Sequence, residues 1–348
     1  MEFINYLLKI GKISLSILNS SSPWLFMSFI LAGILRYLVS GEILQNSLGN
    51  KSFSAIMKST VSGMLLPICS CGVIPLGLGL YFSGAYLGPV LAFMTSTPII
   101  NPAAIILSYG LLGKEITLIY LISGFIIPMI AGSLGNLLGG DEVIPPASSE
   151  KIQLEESQIS FYEKIKLGLI WSFKDLALIV SKYVVLGTFF AAFLFIVFPR
   201  DIFLKYLGNP GILSLWSITL IATLSYVCAV GHIPFIAALV ASGASPGVAL
   251  TFLIAGTGTN LPELISIYKV IGKKSAILYG SIMLITAFIV GYVTNYLLGD
   301  NFHPVLQYDT INNSIKTANF LLISFPEWIQ NTFSIGIFSY GIYGWVKK

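Results

Sequence analysis

Charge is what this chain has least of. Asp, Glu, Lys and Arg together supply 10% of its 348 residues, against roughly 25% in soluble domains. That scarcity excludes a soluble enzyme on a single anchor, which would leave a charged remainder somewhere along the sequence. The chain has three cysteines, all in apolar surroundings, and two histidines, so a disulfide framework is excluded too. No Walker or Rossmann glycine pattern occurs, so no nucleotide and no other cofactor is implied. The net charge of +4 comes from lysines scattered at expected helix ends. With no basic stripe or arm, a nucleic-acid partner is not expected. Nothing at the start resembles a cleavable signal, because Lys9 and Lys12 interrupt the apolar run of Met1 to Asn19 and no small-residue cleavage site follows.

What the chain does have is apolar length. Hydrophobic residues make up 55% of it and the mean hydropathy is +0.86. The composition predicts an all-α, multi-pass membrane protein whose first partner is the lipid bilayer. Residues 1–20 read as an interfacial amphipathic helix. Residues 142–178 read as a soluble linker, with Pro145-Pro146 and Ser148-Ser149, followed by an interfacial helix. Residues 301–348 read as a polar passage and a last span.

Between these lies an internal duplication. Sliding the chain by 159 residues without a gap places Cys69 on Cys228, Gly72 on Gly231, Pro75 on Pro234 and Ser83-Gly84-Ala85 on Ser242-Gly243-Ala244. The same offset pairs Gly88 with Gly247, Asn101 with Asn260, Tyr109 with Tyr268, Tyr120 with Tyr279, Gly132 with Gly291 and Asn136 with Asn295. Chance similarity of apolar sequence would exchange Leu for Ile; it would not hold Asn on Asn and Gly on Gly in one register. The transmembrane repeats are expected at 21–141 and 179–300.

Each repeat reads as a first span (23–41 and 182–199), two interrupted segments (54–82 with 86–111, and 213–241 with 245–270) and a last span (115–138 and 274–298). The interruptions are marked by Pro67, Gly72 and Pro75, by Pro98 and Pro102, by Gly231 and Pro234, and by Pro262. Apolar arms of about ten residues flank each one, about 15 Å of helix, which sets the breaks near the bilayer midplane. If both interrupted segments cross, the halves run parallel; if one turns back as a hairpin, they are inverted.

The breaks carry the candidate chemistry. Cys69 and Cys71 stand two apart in Pro67-Ile68-Cys69-Ser70-Cys71-Gly72, and only an unwound backbone would aim both thiols into one cavity. Cys228 and His232 occupy the corresponding break of the second half. Together the four could form a thiolate and imidazole site for a soft metal or trivalent arsenic. The competing reading is that the thiols pack and the imidazole bonds a backbone carbonyl freed by the break. Asn101, Asn260 and Thr97, with Thr257 and Thr259, are uncharged donors and acceptors that either shape a site or cap half-helices. Glu263, with Ala104 as its counterpart, is an ionisable group at membrane depth and a candidate for carrying a coupling proton. Lys58 and Lys269 read as anchors near helix ends.

The run Pro67-Ile68-Cys69-Ser70-Cys71-Gly72-Val73-Ile74-Pro75, with Ser83-Gly84-Ala85 and Ser96-Thr97-Pro98-Ile99-Ile100-Asn101-Pro102, resembles the predicted permease family that includes the organoarsenical efflux permease ArsP. The resemblance implies a non-enzymatic permease of the cytoplasmic membrane that exports a small thiophilic solute, a trivalent organoarsenical in ArsP-like members. Here Val230 stands where the second half would need a second thiol, and His232 follows it, which keeps metal cations open as substrates. A carrier of an unrelated anion with packing cysteines, and a membrane redox or metal-delivery protein, are the alternatives. Homo-oligomer formation is open.

Overall fold

The computed structural model describes residues 2–38, 48–66, 70–145, 161–197, 211–224, 228–241, 243–298 and 325–346. Secondary structure among the described residues is helical, as the apolar composition requires: backbone polar groups in lipid must be satisfied within the segment. The helices are α1 (Glu2–Leu38), α2 (Phe53–Leu65), α3 (Ser70–Phe82), α4 (Leu87–Ile99), α5 (Pro102–Leu112) and α6 (Lys114–Leu138). A short 3-10 turn, Gly140–Val143, follows α6. Then come α7 (Phe161–Trp171), a π turn (Ser172–Leu176) and α8 (Ala177–Val197) as one continuous rod. The rest are α9 (Ile212–Leu224), α10 (Ala229–Ala241), α11 (Pro246–Gly258), α12 (Leu261–Val270), α13 (Lys273–Leu298) and α14 (Glu327–Val346).

The 159-residue offset reproduces the helix boundaries as well as the residue matches. Helices α2, α3 and α4 map end for end onto α9, α10 and α11, while α5 and α6 begin on the counterparts of the first residues of α12 and α13. The rod from 161 to 197 is the image of α1, residue 2 to residue 38. Two expected boundaries are therefore corrected. Residues 1–20 are not a separate interfacial helix but the first part of α1, and the second repeat begins at 161 instead of 179. Helix α1 survives Pro23 because the carbonyl that loses its N–H partner, that of Asn19, accepts from the Ser22 hydroxyl at 3.2 Å. The linker at 146–160 and the passage at 301–324 lie outside the described residues.

Side-chain contacts give the direction of the elements of the first half. Helix α2 runs beside α4 in the same sense: Ser59 donates to the Pro89 carbonyl at 2.6 Å, and Gly63 abuts Ser96 and Thr97. Helix α6 runs against α4, with Gly88 N–H donating to Asn136 Oδ1 at 2.8 Å at one end and the Tyr120 hydroxyl donating to the Ile99 carbonyl at the other. Helix α3 ends where α6 ends, since the Tyr81 hydroxyl donates to the Glu142 carbonyl at 2.9 Å. The start of α2, the end of α3, the start of α4 and the end of α6 thus share one side. The pair α2–α3 enters from that side and returns to it as a re-entrant hairpin. By contrast, α4 and α5 continue across with a bend of 42°.

The equivalent helices α6 and α13 pack side by side and antiparallel. Glu142, just past the end of α6, accepts from Lys274 N at 3.2 Å, Ser275 N at 2.7 Å and Ser275 Oγ at 2.6 Å at the start of α13. Helices α1 and α8 also run antiparallel, with Ser14 on Thr188 at 3.2 Å and Ser172 on the Phe29 carbonyl at 2.6 Å. The image of the first contact under the repeat is Phe173 on Phe29, whose rings lie 6.2 Å apart, one residue along from the second. Each hairpin returns onto the other half, α3 onto α12 and α10 onto α5. The halves are accordingly inverted, related by a pseudo-two-fold axis in the plane of the membrane.

Candidate functional site

The breaks arise where the chain trades helical hydrogen bonds for side-chain ones. Between α4 and α5 the backbone is extended at Ile100 and Asn101, and Asn101 Oδ1 accepts from Ala104 N at 2.9 Å. Between α11 and α12 the same geometry recurs at Thr259 and Asn260, whose Oδ1 accepts from Glu263 N at 3.0 Å. Both asparagines are helix N-caps. Pro102 and Pro262 lie in the first turn after the break, where a missing N–H costs nothing.

Several expected breakers sit inside helices instead. Gly72 and Pro75 are within α3, Gly231 and Pro234 within α10, and Pro98 within α4. Each proline removes one backbone bond, and the helix absorbs that loss. Helix α2 ends at Leu65, with extended backbone at Leu66, and α9 ends at Leu224. Pro67 and Cys69 lie outside the described residues, and Cys71 is placed in the first turn of α3 by its backbone alone.

At the opposite hairpin, Cys228 is half-buried just before α10 and comes within electrostatic reach of the Tyr120 hydroxyl of the first half. His232 folds back on the same turn, its Nδ1 3.0 Å from the Cys228 carbonyl oxygen and 3.3 Å from Cys228 N. One edge of the imidazole is thus held by the Cys228 backbone, although that carbonyl is not freed by the break, since it also accepts the helical His232 N–H at 3.0 Å. Among the described residues no three His, Cys, Asp or Glu side chains group as a metal site. Thr97 donates to its own helix at Phe93 O, 2.8 Å away, and Thr257 likewise to Leu253 O at 2.5 Å. Thr259 differs. Its hydroxyl is fully buried at the break with no hydrogen-bond partner among the described residues, a position that favours a ligand or water.

Two tyrosines that the sequence shows only as a repeat match complete the site. At the two ends abutting the axis, the carbonyls of Ile99 and Gly258 lose their helical partners, and the hydroxyls of Tyr120 and Tyr279 replace them. Ile99 itself packs on Gly258 across the axis. The second half adds a polar chain that the first lacks. Glu263 is fully buried, with Oε2 accepting from Asn260 Nδ2 at 3.2 Å and Oε1 3.3 Å from the Tyr279 hydroxyl. Thr95 of the first half approaches that hydroxyl too. One phenolic proton therefore faces two acceptors, the Gly258 carbonyl at 2.5 Å and Glu263 Oε1. Proton and acceptor counts balance when Glu263 itself carries a hydrogen.

The chain matches a known family over most of its length. The model of a family described as predicted permease matches residues 6–296. This chain belongs to the predicted permease family. Its curated relatives include the UPF0718 protein MJ0584 of Methanocaldococcus jannaschii, 25% identical over 79% of this chain and 91% of that protein. The UPF0718 protein YcgR of Bacillus subtilis is 26% identical over 77% of this chain and 90% of its own length. A Streptococcus mutans protein named as a subunit of a two-component membrane permease complex is 27% identical over 72% of this chain and 83% of its own. No solved structure matches the chain. The permease match ends before α14, so the last helix lies outside it.

Proposed function

We propose that this membrane permease exports a thiophilic solute, a trivalent organoarsenical or a soft metal ion, from the cytoplasm through one site between the inverted halves. The observation that carries the reading is the position of Cys228: it stands just before α10, at the end of the hairpin that packs on α5 of the opposite half, within electrostatic reach of Tyr120. In sequence, the 159-residue offset aligns Cys69 with Cys228. In this reading Cys69 and Cys71 are the primary ligands, and Cys228, with His232 through Nε2, completes or relays the solute. Two or three ligands at a time suit a carrier, since a closed four-ligand cage would trap its cargo. Asn101 and Asn260 shape the breaks, and the buried Thr259 hydroxyl supplies a polar contact. Glu263, an ionisable group fully buried next to the break, exchanges a proton during alternation.

The test is accumulation of methylarsenite, arsenite, Zn(II) and Cu(I) in everted membrane vesicles containing the wild type, Cys69→Ser, Cys228→Ser or Glu263→Gln. Uptake of one solute, lost in Cys69→Ser and insensitive to an imposed pH gradient in Glu263→Gln, is expected. Uptake that survives both cysteine changes assigns the thiols to packing and refutes the reading. The name of the Streptococcus mutans relative favours one elaboration, in which the chain acts beside a second membrane subunit. Purification in mild detergent with an affinity-tagged chain from its native host tests it by co-elution.

A further inference from the structure

Away from the axis, a cavity of about 550 Å³ opens between the rod α7–α8, the end of α12 and the end of α14. It is lined by Lys174, Lys182 and Lys269, with Asp175, Tyr183 and Leu178 among the remaining walls. Three ammonium groups against one carboxylate leave it net positive, and among the described residues none of these charges is held in an ion pair. Lys182 Nζ sits 4.1 Å above the ring of Trp345 in α14, and Lys269 Nζ lies 5.5 Å from the ring of Tyr268.

The fold does not require these lysines. Their repeat counterparts in the first half are Leu15, Pro23 and Gly110, and that half packs on the same plan without them. Two further departures from symmetry occur at the same place. The rod takes a π turn at Ser172–Leu176, displacing Lys174 and Asp175 from regular helical register, whereas α1 is uninterrupted at the equivalent residues; single π turns of this kind recur at functional sites. Helix α14, which has no repeat counterpart, brings Gly344 to the wall and sets Trp345 against Lys182. Lys269 is four residues from Lys273, where the membrane-spanning α13 begins, so the cavity opens at the level of the bilayer edge.

We propose that this cavity is a binding site for a phosphate-bearing anion, the chemistry offered by the headgroup of an acidic phospholipid or by free phosphate. Basic pockets between membrane helices near the interface hold such headgroups. Tyr183 in the wall, and Trp345 behind Lys182, are amphipathic side chains that suit that depth. The site is independent of the transported solute and of the axial cysteines.

The experiment uses the full chain, purified in a zwitterionic detergent and titrated with short-chain phosphatidylglycerol, phosphatidylcholine or inorganic phosphate. Binding is read by Trp fluorescence and by lipid retained in native mass spectrometry. Lys182→Gln and Lys269→Gln are each expected to weaken phosphatidylglycerol binding about fivefold, and the pair about 30-fold, while Lys58→Gln has no effect. Elution volume and helical circular dichroism confirm that each variant is folded, and Lys269→Arg retains binding. If inorganic phosphate alone binds with the same lysine dependence, the site is confirmed and its source is a soluble anion. Phosphatidylglycerol binding equal to phosphatidylcholine binding with no binding of inorganic phosphate, or anion binding unchanged in the folded double variant, overturns the proposal.

Discussion

Removing one oxygen atom from each axial tyrosine tests the account of the breaks. Tyr120→Phe leaves the Ile99 carbonyl without a partner, and Tyr279→Phe does the same to Gly258 while also stripping a contact from Glu263. Both rings are fully buried, so water has no ready route to the orphaned acceptor. A buried unsatisfied carbonyl costs about 1–3 kcal/mol. If water or a neighbour replaced the lost bond, the cost would fall to the ~0.6 kcal/mol average of side-chain bonds between membrane helices. Each single change is therefore expected to lower stability by about 1–3 kcal/mol, with Tyr279→Phe the larger, measured as the shift of an unfolding equilibrium in mixed micelles. Tyr109 and Tyr268 are the internal controls. They match in the repeat just as well, yet both are exposed, so Tyr109→Phe and Tyr268→Phe should fall within about 0.5 kcal/mol of wild type. Axial changes no larger than these controls would falsify the assignment of the hydroxyls as replacements for lost backbone bonds.

Three further outcomes are expected. In a cysteine-free background, Lys114→Cys and Lys273→Cys occupy equivalent positions at the starts of α6 and α13; an impermeant maleimide should label them from opposite faces of the membrane, and labelling from the same face would refute the inverted arrangement. Gly88→Ala drives a Cβ into the Asn136 side chain and should cost about 1–3 kcal/mol by overpacking, whereas Gly11→Ala, with nothing within 4 Å, should stabilise its helix by about 0.5–1 kcal/mol, both read by thermal unfolding. Glu142→Ala removes three hydrogen bonds from the start of α13 and should cost about 1–2 kcal/mol, with faster hydrogen exchange confined to the first turn of that helix.

The repeat was legible because each matched residue answers a local geometric demand that both halves face. Gly84 and Gly243 match because each turn after a re-entrant hairpin needs φ near +100°, here +104° and +101°, which side chains with a Cβ avoid. Gly88 and Gly247 match because each backbone N–H lies against an asparagine, Asn136 or Asn295, which accepts from it at 2.8 and 2.7 Å. Asn101 and Asn260 match as caps. The prolines misled at Pro75, Pro98 and Pro234, because a proline forbids one hydrogen bond without saying whether the helix stops or continues past it. Nor could the sequence separate Tyr120 and Tyr279 from Tyr109 and Tyr268, since burial depends on which neighbour each ring meets.

By itself the sequence determined that this is a duplicated helical membrane protein of the permease family, because charge content, apolar length and an unbroken register of identities are properties of the chain alone. Tertiary structure decided that the halves are inverted and that α2–α3 turns back, because direction across a bilayer is a relation between helices and period carries no sign. It also decided that the breaks converge on an axis capped by tyrosines, and that Lys174, Lys182 and Lys269, 95 residues apart at the extremes, face one cavity. Those are distances in space, and nothing in the order of the residues encodes them one at a time.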